Sequence, residues 1–151
     1  MKIDHIGYVT SNIKQTLKYF RDLIGMKQIT KIIREPAHNV KVVFLDMGNK
    51  SYPSLEIITP ITKNSKISNY LKQKGDGIHH IAYEVKNIQK TLLNLKKKNF
   101  LVLSKIVPGA GHNKTPTIWL YTPKNELIEL IQLQKNKKGF KRFTNSEKFF
   151  K

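Results

Sequence analysis

His5 and His80 each open a nearly repeated run, and a Glu follows each at almost the same distance. From His5 the chain reads HIGYVTSNIKQTL; from His80, 75 residues on, it reads HIAYEVKNIQKTL, with seven of thirteen positions identical. Glu56 lies in Leu55-Glu56-Ile57-Ile58 and Glu129 in Ile128-Glu129-Leu130-Ile131. Two imidazoles and two carboxylates in register are four metal-capable side chains. A Glu set among branched apolar residues is costly to bury unless its charge is compensated, and no Lys or Arg recurs beside both. One divalent cation would compensate both carboxylates and accept two neutral imidazoles. With oxygen and nitrogen donors and no cysteine in the chain, the set suits Co²⁺, Ni²⁺, Mn²⁺ or Zn²⁺. Four protein ligands leave two octahedral positions open for two substrate oxygens or two waters. Such a centre stabilises the enediolate formed when a carbon acid beside a carbonyl loses its proton, and a nearby carboxylate moves that proton.

The remaining histidines have no repeated counterpart. His79 points to the face opposite its neighbour His80, and His38 reads as a turn residue. His112 lies in the 108–114 loop, where it could touch substrate.

The elements that must position the quartet follow from periodicity. Residues 2–10 read as a strand, so His5 lies mid-strand. Ser11 or Asn12 caps a helix with Ile13, Leu17, Phe20, Leu23 and Ile24 at helical spacing, stopped by Gly25. Strands are expected at about 26–34, 40–47 and 54–60, with turns at Pro36 and Gly48-Asn49. The first module is β-α-β-β-β over about 1–60. A linker, 61–76, carries a short helical pattern (Ile67, Tyr70, Leu71). The order then repeats over about 77–134: a strand at 78–86, a helix at 87–98 capped by Asn87, and strands at about 100–107, 116–121 and 126–133. A period near 75 makes the fold α+β, built from two βαβββ modules. Residues 135–151 fall outside the repeat as a basic C-terminal tail with seven Lys or Arg and four Phe.

Composition bounds the function. Hydrophobic residues at 39% and charged residues at 25% suit a soluble globular protein. No run approaches the length needed to span a bilayer, and residues 1–20 lack the apolar centre of a secretory signal. The absence of cysteine excludes disulfides and thiolate sites and fits a cytoplasmic enzyme. A net charge of +18 raises nucleic acid as a partner. The lysines Lys14, Lys18, Lys90 and Lys96 to Lys98 instead sit on helical segments, where Lys occupies the solvated face. No nucleic acid and no membrane partner is expected. An anionic small substrate needs only a few of these charges near a cleft.

The residues quoted above resemble the vicinal oxygen chelate superfamily over residues 2–134. Within it, Gly77-Ile78-His79-His80-Ile81-Ala82-Tyr83-Glu84-Val85 is similar to the corresponding strand of methylmalonyl-CoA epimerases. So are Lys41-Val42-Val43-Phe44 running into Gly48-Asn49, the Gly109-to-Lys114 loop, and the segment Lys66 to Lys74. The resemblance implies a curved mixed-sheet metal cup in a homodimer. It implies His5, Glu56, His80 and Glu129 as ligands, the second being Gln or Glu among relatives. The implied reaction is epimerisation of a 2-methyl-3-oxoacid CoA thioester, an anionic substrate, with Glu129 the first position to test as a participating base. Two features depart from the family pattern. Thr122-Pro123-Lys124-Asn125-Glu126 replaces a His-Pro-Lys turn, and Val42 stands where some members place a catalytic Glu, so the second base is unassigned.

The same quartet resembles bacterial glyoxalase I, a lactoylglutathione lyase, and Phe20-Arg21-Asp22-Leu23-Ile24-Gly25-Met26-Lys27 is shared in style by both families. Both reactions run through an enediolate. Metal-free relatives that bind drugs, such as bleomycin-resistance proteins, form a third class, but they usually lose the quartet. Ring-cleaving dioxygenases use two His and one Glu.

Overall fold

In the computed structural model, which describes residues 1–48, 53–109 and 114–133, the chain divides into two compact units. One runs His5–His79; the other joins Met1–Asp4 to the chain from His80 onward. The tail 135–151, His112 and Asn49 lie outside the described residues. Each unit holds a mixed sheet with a helix packed against one face, and up to the last strand of each the two units repeat one element order.

The first unit contains most of β1 (Lys2–Val9), then α1 (Ile13–Lys18), β2 (Lys27–Gln28), β3 (Ile33–Glu35), β4 (Val40–Asp46), β5 (Ser54–Pro60) and α2 (Lys66–Lys74). From His5 onward β1 pairs parallel with β5; β5 pairs antiparallel with β4, which also pairs with β2 and β3. Asn12 caps α1, its side chain accepting from the Gln15 amide. Ile13 and Leu17 bury against Val43, Leu45, Leu55 and Ile57. The stripe does not continue as its spacing predicts. Residues Tyr19–Leu23 form a π-helical turn, and the Ile24 amide reaches the Tyr19 carbonyl. The extra residue in that turn rotates Leu23 and Ile24 off the buried face, leaving them 75% and 54% exposed. Gly25 then ends the helix at a positive φ of 81°, which suits a residue without Cβ.

The expected strand 26–34 is broken into β2 and β3. Between them Thr30 turns its hydroxyl to accept the Phe44 amide at 3.0 Å, taking the place of a backbone carbonyl. The linker is tied back by Asp76, which accepts hydrogen bonds from the Thr10 hydroxyl, the Ser11 amide and the Ser11 hydroxyl. Partial burial raises the Asp76 pKa, but those three hydrogen bonds outweigh it and hold the carboxyl below its ordinary value. A depressed folded-state pKa stabilises above the unfolded value and is lost as pH falls through the folded one. The stability advantage of wild type over Asp76→Asn is therefore expected to be full at neutral pH and to shrink below about pH 4. Melting temperatures of both proteins across that range measure it; a pH-independent difference would exclude the latch.

The second unit holds β6 (Gly77–Val85) from His80 on, then α3 (Ile88–Lys96), β7 (Leu101–Val102), β8 (Val107–Gly109), β9 (Thr115–Tyr121) and β10 (Leu127–Gln132). Here β6 pairs parallel with β10, β10 antiparallel with β9, and β9 with both β7 and β8. Asn87 caps α3, and Asn99 leaves it with φ 62°. Ile88 and Leu95 pack on Ile118, Leu120, Ile128 and Leu130. The expected strand 100–107 also splits, and for the same reason as its counterpart. Ser104 accepts the Trp119 amide through its hydroxyl at 3.1 Å. No helix among the described residues is long and apolar enough to cross a membrane.

Candidate functional site

Alternation along each strand decides which residues can share a site. In the first unit, Ile6 and Tyr8 pack with the helix-side core, so His5 projects from the other face of β1. Leu55 and Ile57 belong to that core as well, which places Glu56 on the face of His5. Glu56 stands beside Gly7 on β1 and opposite Phe44 on β4. His5 is fully buried and Glu56 is 6% exposed. The His5 Nε2 lies 3.2 Å from Glu56 Oε2, and the Phe44 ring meets the imidazole edge-on at 5.7 Å.

The second unit repeats the pattern. Tyr83, Val85, Ile128 and Leu130 face α3, so His80 and Glu129 face away from it. Glu129 pairs with Ala82 on one side and Trp119 on the other. His80 and Glu129 are 2% and 5% exposed, and the Trp119 ring meets the His80 ring at 4.6 Å, again near perpendicular. Each unit thus carries a buried His, a buried Glu on the same face, and an aromatic ring against the His.

Sequence reasoning found the His and Glu of each set and missed the aromatic ring and the hydroxyl behind it. Phe44 and Trp119 are 75 residues apart, the offset of the histidines, while Thr30 and Ser104 are 74 apart. Their identities differ, so a search for identical residues passes over them. The shared roles were open to a search by residue class.

The chemistry of the donor set fits a divalent cation. In one unit the buried His5 and Glu56, and in the other the buried His80 and Glu129, each offer imidazole nitrogen and carboxylate oxygen without thiolate, donors of the kind that divalent cations take. Within the first unit, two donor atoms 3.2 Å apart are close to the separation of about 3 Å that adjacent ligands take on one such ion.

Other ionisable groups stand outside this set. His79 is half-buried, with its ring against Tyr70 at 4.8 Å. Burial lowers its pKa, partly countered by the charge of Glu56. Glu84, on the face of His80 but two positions beyond Ala82, has its pKa raised by burial, with Lys2 opposing. Val42 is 1% exposed on β4 and brings no acid or base to the third strand.

The model of the Glyoxalase/Bleomycin resistance protein/Dioxygenase superfamily matches residues 4–117. The mitochondrial methylmalonyl-CoA epimerase of Mus musculus is 33% identical over 135 residues, covering 87% of this chain and 72% of that protein. The ethylmalonyl-CoA/methylmalonyl-CoA epimerase of Cereibacter sphaeroides is 29% identical over 136 residues, 87% of this chain and 98% of that one. Among solved structures, a hypothetical protein of Bacillus halodurans C-125 superposes with a TM-score of 0.81 at 26% identity, over 91% of this chain and 98% of its own.

Proposed function

The chain belongs to the Glyoxalase/Bleomycin resistance protein/Dioxygenase superfamily and is an epimerase-like enzyme, and we propose that it inverts the α-carbon of a methylmalonyl-CoA-like thioester. In this reading His5, Glu56, His80 and Glu129 hold one divalent cation. The observation that carries it is the duplicated buried pair: His5 with Glu56 in one unit, His80 and Glu129 on one face in the other. Relatives whose names specify the epimerisation of such thioesters support the substrate class.

A divalent cation held by His5, Glu56, His80 and Glu129 would supply positive charge to offset the negative charge that develops as the α-proton leaves. The protein does the rest. His5, Glu56, His80 and Glu129 are each buried, which strengthens the charge interactions that those side chains make. A carboxylate oxygen of Glu129 accepts the α-proton and can return it. Inversion also needs a proton delivered from the opposite side, and Val42 cannot supply it. The net charge of +18 draws an anionic thioester toward the protein.

The test is exchange of solvent deuterium into the α-carbon of methylmalonyl-CoA, run beside a methylglyoxal–glutathione assay. Exchange with the thioester is expected, lost on chelation and restored by adding back Co²⁺ or another divalent ion. Undiminished exchange after metal removal would defeat the mechanism. Turnover of the hemithioacetal alone would make the protein a lactoylglutathione lyase.

A further inference from the structure

The two aromatic rings occupy equivalent places but are not equivalent surfaces. Phe44 is completely buried, so its ring is spent on packing and on the edge of His5. Trp119 is only partly buried, although it touches His80 and stands directly across the ladder from Glu129. Opposed residues on neighbouring strands bring their Cβ atoms to about 5 Å, so the indole lies within reach of whatever Glu129 acts on. The backbone around the indole is fixed. The Ser104 hydroxyl holds the Trp119 amide, and the Leu103 amide donates to the Trp119 carbonyl at 2.9 Å.

On the reading proposed above, Glu129 approaches the α-carbon, and two of that carbon's substituents, the carboxylate and the thioester, carry the oxygens that a divalent cation would attract. Its remaining carbon substituent is the alkyl group, which is apolar. Of the two residues paired with Glu129 across the ladder, Ala82 is fully buried and Trp119, the larger and apolar one, is only partly buried. We infer that the Trp119 indole is the wall against which the α-alkyl group packs, and that it sets how large that group can be.

This inference rests on the proposed epimerase function but fails separately from it. In Trp119→Leu, the ratio of kcat/KM for ethylmalonyl-CoA over methylmalonyl-CoA rises about tenfold, the scale of one methylene in an apolar pocket. Trp119→Phe shifts it less, and Phe44→Leu, at the fully buried counterpart, leaves it unchanged. An unchanged ratio in Trp119→Leu, or an equal rise in Phe44→Leu, would overturn the assignment while leaving the epimerase reading intact. If wild type exchanges neither thioester, the reading falls and the wall with it. A second measurement needs no variant. Trp119 is the single tryptophan, so propionyl-CoA, at concentrations that inhibit exchange, should change the intrinsic fluorescence, and free CoA should not. Emission indifferent to propionyl-CoA under those conditions would also overturn the assignment.

Discussion

Glu129→Gln lowers α-proton exchange by about 10²–10⁴-fold while the bound metal stays close to its wild-type level. The substitution keeps the size of the side chain and one carbonyl oxygen able to ligate, but an amide does not take up a proton at neutral pH. Glu129 is the carboxylate proposed both to ligate and to accept the proton, and Gln separates the two roles. Glu56 provides the contrast. It stands 3.2 Å from His5 on the same face of its own unit and is proposed as a ligand alone, so Glu56→Gln should retain most of the exchange. His80→Ala should lose metal and exchange together, because it removes a nitrogen donor and leaves a cavity beside Trp119. Metal content of the purified variants and deuterium incorporation, measured on the same preparations, decide the matter. A Glu129→Gln protein exchanging at the wild-type rate would restrict Glu129 to ligation and leave the proton acceptor elsewhere.

The buried His and Glu of each unit were legible as candidates because they are duplicated in identity. A single His in a strand carries little information; the same His-Ile-x-Tyr twice, each followed by a Glu in an apolar strand, carries a great deal. Element order was legible for the same reason, and the Asn12 and Asn87 caps could be read from residue type. The failures also have physical causes. Leu23 and Ile24 fit a helical stripe on paper, but the π turn at Tyr19–Leu23 adds a residue that spacing does not announce. The runs 26–34 and 100–107 look like uninterrupted strands because Thr30 and Ser104 are unremarkable in a strand. Only their hydroxyls, accepting the Phe44 and Trp119 amides, show that each run breaks. Those breaks are part of the site's construction, since each fixes the backbone of the aromatic residue that touches a proposed ligand.

Leu130→Ala, one residue from Glu129, should give the opposite phenotype to Glu129→Gln. Leu130 is fully buried among Ile118, Leu120, Val85 and Ile128, on the helix side of β10, whereas Glu129 projects from the other side. Removing its branched end leaves a cavity that neighbouring side chains fill only in part, at a cost of about 2–5 kcal/mol. That is a large share of the roughly 5–15 kcal/mol by which a domain is stable. The urea midpoint is therefore expected to fall well below wild type with little change in slope, because the surface exposed on unfolding is nearly the same. In the protein that remains folded, metal content and exchange should stay near wild type, since the site face of the strand is untouched. Normal stability combined with lost metal would reverse the assignment of the two faces of β10. That result would remove Glu129 from the site and the pairing argument for Trp119 along with it.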